Sequence, residues 1–296
     1  MKFYTLDVFT NQLFSGNQLA VFPEAAGLTT EIMQKIAIEF NFSETVFVFD
    51  DEDTDFYLRI FTPGGEIPFA GHPTIGTAFL LAKLGKFSLD SEETEVMFRE
   101  GVGNVPVMVF KNEDGKIWTQ LKAPCPPEFY TDCPCKKDLA QMLSLDLDDL
   151  MVDNFVVEGA SCGLPFLLIP LASLEALSRA KINLGVWQRV LKDFWSPHVY
   201  IFVPTGKDSF QGRMFAPALN ITEDPATGSA ATAFAGYLAK YQSESEGCWR
   251  WDIAQGLEMG RPSQIRAIAL KQNHIIKEIK VGGESVIVTE GDLKLN

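Results

Sequence analysis

Basic residues are in deficit. The chain sets 25 Lys and Arg against 39 Asp and Glu, a formal net charge of −14 over 296 residues, and no basic run stands out. Nucleic acid and anionic membrane surfaces are bound by clustered cations, so neither is expected as a partner. A small anionic substrate stays open, because one local positive field can operate inside an acidic protein. Long apolar runs are also missing. None approaches the roughly 20 residues of a membrane-spanning helix, and the opening MKFYTLDVFTNQLF lacks the charged start and apolar core of a signal peptide. The expectation is a cytoplasmic protein. Cysteine is sparse and odd in number, at Cys125, Cys133, Cys135, Cys162 and Cys248, which argues for reduced thiols. Three of the five fall in CPPEFYTDCPC, without a matching second pair or a nearby histidine, so zinc-site spacing is absent. Histidine is scarcer still, with three in the chain.

What remains is an ordinary globular composition, 46% hydrophobic, long enough for one large domain or two medium ones. The N-terminal third reads strand, loop, strand, helix, strand. KFYTLDVF alternates, and NQLAVF follows a turn at Gly16. LTTEIMQKIAIEF has apolar residues at Ile32, Met33, Ile36, Ala37 and Phe40, the spacing of a helix that Thr29 or Thr30 can cap. TVFVF, FYLRIFT, EVMFRE, NVPVMVF and IWTQL follow as strands. The irregular stretch KAPCPPEFYTDCPC then marks the crossing between two domains, 1–122 with 283–296, and 123–282. Beyond it FVVEGASCGLPFLLIPL, HVYIFVP and GRMFAP are strand-like, and LASLEALSRA is helical.

The halves resemble each other. RIFTP at 59–63 returns as RMFAP at 213–217, and GHPTIGTAFLLAK from Gly71 aligns without a gap with GSAATAFAGYLAK from Gly228. Chance recurrence of strand-then-helix units is the bland account; the shared order and offset favour duplication. Both helices are small or apolar on every face, the mark of a buried helix. The expected fold is α+β, two pseudo-symmetric lobes, each a strand-rich sheet wrapped around a central buried helix.

A buried helix still has unpaired N–H groups and a partial positive charge at its start. At one such helix mouth stand Glu66, Gly71, His72 and Thr74; at the other, Asp224, Thr227, Gly228 and Ser229. If a pseudo-twofold axis relates the halves, the two mouths face one cleft where an anionic ligand binds. Each residue has a plainer alternative. His72, between Gly71 and Pro73, reads either as an exposed ring at a tight helix start or as a core histidine satisfied by a backbone carbonyl. Asp224 and Ser229 are equally readable as caps. Glu44 in FSETVF is either a partly buried base among Phe42, Val46 and Phe47 or a solvated residue at a strand start.

GNQLAVF, FSETVF, FTPGGEIPFAGHPTIG, EDPATGSAA and QGLEMGRPS, in that order, resemble the signature segments of the PhzF-like isomerase family. The resemblance implies the two-lobed fold of diaminopimelate epimerase and a proton-moving isomerase. It places the catalytic glutamate at Glu44 and supporting groups at His72, Asp224 and Ser229; the helix-mouth argument adds Gly71, Thr227 and Gly228, with Ser229, as the residues expected to hold a substrate carboxylate. It also implies that no cofactor or metal is needed and that the chain is a homodimer. The epimerases of this fold use a cysteine at each helix mouth. Here those places read Ala70-Gly71-His72 and Thr227-Gly228-Ser229, so two-thiol racemisation is not expected. The function anticipated is a cofactor-independent isomerase acting on a small carboxylate-bearing substrate. The alternative is a non-catalytic small-anion binding protein on the same fold.

Overall fold

A computed structural model describes residues 1–89, 91–150 and 154–295. The chain forms two compact units, 1–122 with 282–296, and 123–281. The fold is α+β as expected, rich in strands, with one 13-residue helix buried in each unit.

In the first unit, β1 (Lys2–Val8) lies antiparallel to both β2 (Asn17–Phe22) and the C-terminal strand Ser285–Asp292. Helix α1 (Thr30–Phe40) follows, with Thr29 Oγ1 accepting from the Ile32 N–H at 3.3 Å as its cap. It carries the chain to β3 (Glu44–Phe49), parallel to β2 with Glu44 opposite Leu19. Strand β4 (Phe56–Thr62) turns through β5 (Gly65–Ile67) into α2 (Gly71–Lys83). An antiparallel meander of β6 (Glu93–Glu100), β7 (Gly103–Lys111) and β8 (Ile117–Lys122) completes the unit. Every α2 residue from Gly71 to Ala82 is buried. Gly76 allows this, because a Cβ there would stand 2.6 Å from the side chains of Leu19 and Val8.

The second unit runs β9 (Glu128–Tyr130), α3 (Lys136–Leu143), β10 (Glu158–Ser161), β11 (Pro165–Pro170), α4 (Leu174–Arg179), α5 (Leu184–Val190) and β12 (His198–Gly206). Then come β13 (Ser209–Ala216), β14 (Ile221–Asp224), α6 (Gly228–Lys240), β15 (Gly247–Gln255), β16 (Ser263–Gln272) and β17 (Ile275–Gly283), whose last two residues already belong to the first unit. Helices α4 and α5 bridge the parallel pair β11–β12, and β13 pairs with β12, β14 and, in parallel, β15. The small side chains of α6 leave room for aromatic packing: the Phe234 ring lies 4.5 Å from Phe202 and 5.0 Å from Phe210.

One device recurs in both units. Arg59 grips Glu66 through two bonds, Nε to Oε1 at 2.7 Å and Nη2 to Oε2 at 2.6 Å. Arg213 grips Glu223 the same way, at 2.7 and 2.8 Å. Each guanidinium also lies over the phenylalanine two residues on, Phe61 at 5.2 Å and Phe215 at 5.0 Å. Each clamp closes the hairpin that feeds the buried helix. Glu66 is thereby taken up by Arg59, a correction to its expected place at the helix mouth. The physical reason is that a fork-shaped cation on the adjacent strand satisfies both carboxylate oxygens.

Among the described residues, no helix is long and apolar enough to cross a membrane, and no group of three His, Cys, Asp or Glu side chains is placed to hold a metal. All five cysteines are free thiols. Gly16 turns β1 into β2 with φ 65, and a Cβ there would collide with the Val8 carbonyl oxygen. Gly16→Ala therefore combines left-handed strain with a backbone clash. It should cost about 2 kcal/mol or more of stability, read as a lower urea midpoint at unchanged m-value.

Candidate active site

Three neighbouring segments of the first unit converge at the start of α2. The Gly16 turn delivers Asn17, fully buried, as the first residue of β2. The parallel β2–β3 pairing sets Glu44 at the start of the neighbouring strand. His72 sits in the first turn of α2 with 6% of its surface exposed. Its Nδ1 is 3.3 Å from Asn17 Nδ2, and its Nε2 is 3.2 Å from Glu44 Oε2. The expectation of an exposed ring is thus corrected. A histidine inside a helix that is apolar all round is drawn in with it, and the backbone carbonyl of Gln18 acts on the ring, as the core-histidine reading proposes.

The ring nevertheless does more than fill space. Burial pushes the His72 pKa down to about 3, against a smaller opposing effect from the Gln18 carbonyl. The imidazole is therefore neutral near pH 7 and carries a single N–H. With the proton on Nε2, it faces an ionised Glu44; with the proton on Nδ1, Glu44 must supply one itself. Two bare lone-pair groups would repel at 3.2 Å. The contact sets a carboxyl group beside an imidazole, two groups able to exchange a proton. The approach is a close one without hydrogen-bond alignment: His72 Nε2 has no hydrogen-bond partner among the described residues.

In the second unit, Asp224 ends β14 and is buried. Its Oδ2 accepts the Thr227 hydroxyl at 2.5 Å. Gln255, the last residue of β15, braces this turn. Its Nε2 donates to the Asp224 carbonyl at 2.8 Å and to Thr227 Oγ1 at 3.0 Å, and Ser263 Oγ donates to the Pro225 carbonyl at 2.8 Å. Neither Asp224 nor Ser229 caps α6. The N-cap residue is Thr227, and it makes no side-chain capping bond. Ala70, the N-cap of α2, has none either. Gly71 and Gly228 open the two helices, buried, and Ser229 is half-buried one residue further on.

Sequence patterns thus single out Glu44 and His72, which the fold brings into contact, and Asp224 and Thr227, which it hydrogen-bonds. They miss the roles of Asn17 and Gln255, although both lie in quoted segments, GNQLAVF and QGLEMGRPS. A buried amide at a strand end is visible as a polar residue bordering an apolar run, but its partner is not.

A family model described as phenazine biosynthesis-like protein matches residues 6–291. An uncharacterized isomerase of Mesorhizobium japonicum is 38% identical, over 97% of this chain and 96% of its own. The trans-2,3-dihydro-3-hydroxyanthranilate isomerase of Pseudomonas aeruginosa is 32% identical over 98% of each chain. The crystal structure of a PhzF-family phenazine biosynthesis protein from Bacillus anthracis superposes with a TM-score of 0.89 at 27% identity, covering 100% of this chain and 99% of that one.

The depressed His72 pKa has a stability consequence. As pH falls below the ordinary 6.5, the unfolded chain takes up the proton first, so stability is lost between about 6.5 and about 3. His72→Asn should flatten this acid limb by up to one proton, about 1.4 kcal/mol per pH unit, measured as urea midpoints from pH 7 to 4. Buried His198, pushed down to about 4, acts in the same direction, and Glu100, pushed up to about 8, acts against both above its ordinary 4.5, so the comparison is between the variant and the unaltered chain.

Proposed function

Because the chain belongs to the phenazine biosynthesis-like protein family and is an isomerase, we propose that it moves a proton between two carbons of a small carboxylate-bearing substrate, with Glu44 as the acid–base shuttle. The observation that carries this reading is the half-enclosed Glu44–His72 contact, 3.2 Å long, with the imidazole kept neutral by burial. A charged imidazolium would pair with Glu44 and quench it as a base. A neutral one leaves the carboxylate free to act as a base. Glu44 takes a proton from one carbon, the electron pair delocalises into the adjoining π-system, and the resulting acid returns the proton to a second carbon on the same face. A proton moved within one molecule leaves its oxidation state unchanged, so the reaction calls for no electron carrier, and the reading includes cofactor independence.

Two further assignments belong to this reading. Asp224, fixed by Thr227 and Gln255, orients a polar group of the substrate. Gly71, Thr227, Gly228 and Ser229 bind its carboxylate at the helix mouths, whose N-cap residues make no side-chain capping bond.

The first probe is the substrate named for the Pseudomonas aeruginosa relative, trans-2,3-dihydro-3-hydroxyanthranilate. The readouts are its isomerisation and its uptake of solvent deuterium. Glu44→Gln should lower turnover by roughly 10²–10⁴-fold while leaving affinity within a few-fold. Full activity in that variant would refute the mechanism. Binding of this and related carboxylates with no exchange in the unaltered protein would favour the small-anion binding protein instead. Ser229→Ala should raise KM more than it lowers kcat.

A further inference from the structure

Glu100 ends β6 at a position that points into the core. Along that strand Val96, Phe98 and Glu100 are buried in alternation, and the carboxyl residue is only 4% exposed. Its Oε1 lies 2.7 Å from Oγ1 of Thr74, in the first turn of α2. The same Thr74 oxygen lies 2.8 Å from the Ala70 carbonyl oxygen. A hydroxyl has one hydrogen, and a carbonyl can only accept. If Thr74 gives its hydrogen to Ala70, its oxygen must accept from Glu100, and only a neutral acid can donate. If Thr74 gives it to an ionised Glu100 instead, two oxygens face each other at 2.8 Å with no hydrogen between them. The second carboxyl oxygen, Oε2, is buried with no hydrogen-bond partner among the described residues. A carbonyl-like oxygen tolerates that far better than one sharing a full charge.

The surroundings agree. Burial pushes the Glu100 pKa up to about 8, with the Thr74 bond acting the other way. The adjacent cation, Arg99, is held by Asp51 at 3.0 and 3.1 Å. Across β7 the register partner of Glu100 is Gly103, and Gly101 backs onto Pro68. The titratable side chains of α2 are His72, neutral as argued above, and Lys83 at the far end.

We propose that Glu100 is a neutral carboxylic acid in the folded protein and a positioning residue for His72: it donates to Thr74, Thr74 donates to Ala70, and this relay locks the helical turn that carries the imidazole. On ionisation of Glu100, the Thr74 hydrogen swings to the carboxylate, Ala70 loses its second donor, and the turn is released. The functional half of this assignment rests on His72 belonging to the active site; the protonation of Glu100 does not.

The chain has three histidines, so the His72 ring resonances are assignable with single substitutions. In the unaltered protein they should show a step near pH 8, far from the ring's own titration. Glu100→Gln, which still donates an N–H to Thr74 but cannot ionise, should abolish the step, and so should Thr74→Val, which breaks the relay. Stability supplies a second readout. The folded state holds a proton that the unfolded chain releases above the ordinary 4.5, so stability falls as pH rises toward 8 and levels off beyond. Between pH 6.5 and 8 the melting temperature should drop by roughly 2–4 °C per pH unit in the unaltered chain and stay level in Glu100→Gln. A step of undiminished size in Glu100→Gln, or neither step nor drop in the unaltered protein, overturns the proposal. Should Glu100→Gln fail to fold, infrared difference spectra of the unaltered protein between pH 7 and 9.5 decide: absence of a protonated-carboxyl band at pH 7 overturns it, and its loss at pH 9.5 supports it. All these measurements work without a substrate, so failure of the Glu44 mechanism and failure of this inference are told apart.

Discussion

Burial of α2 and α6 along their whole length is the constraint from which the rest follows. A helix without a polar face cannot meet water sideways, so its polarity is concentrated at its ends. At the amino end of each helix, the N-cap residue, Ala70 or Thr227, supplies no side-chain acceptor. The partial positive charge of the helix start is left beside buried polar and titratable side chains. In the first unit that neighbourhood holds Glu44, His72 and Asn17; in the second, Asp224, Thr227 and Gln255. The packing that stabilises each unit and the polarity gathered at the helix start come from one choice of residues.

The repeats have diverged in their chemistry while keeping their frame. Aligned from the clamped glutamates Glu66 and Glu223, His72 falls on Ser229 and Pro68 on Pro225. One copy offers a titratable ring buried against a carboxyl group. The other offers a hydroxyl beside a carboxylate already bonded by Thr227. Copies that share a frame can take up different tasks, because the frame is fixed by Arg–Glu geometry and small-residue packing rather than by the residues at the mouth.

Much of this was legible in the sequence. Uniformly apolar stretches at 71–83 and 228–240 announce buried helices, and the alternation of KFYTLDVF or EVMFRE announces strands. Glu44 and His72 stand out as isolated polar residues in turn-rich surroundings. Pairing was not legible. The partner of Glu66 is seven residues back on the neighbouring strand, and nothing in a one-dimensional pattern separates a clamp from a helix-end acid. The burial of His72 was misjudged because Gly-His-Pro suggests an open turn, whereas those residues already belong to the helix. Gln255 braces a turn 28 residues earlier at Thr227, through a parallel strand arrangement that local signals do not encode. Glu100 sits on the inward stripe of EVMFRE, and the same alternation that predicts the strand also predicts the buried acid.

The clamps divide each hairpin into a variable stretch and an invariant one. Arginine and glutamate are seven residues apart in the first unit and ten in the second, while each glutamate stands five residues ahead of its helix's opening glycine. The three additional residues of the second unit are taken up between arginine and glutamate, before the chain reaches the helix. The fold therefore carries an expansion joint. Evolution can lengthen or reshape the hairpin tip, and so alter what passes near it, without moving the spot where the helix begins.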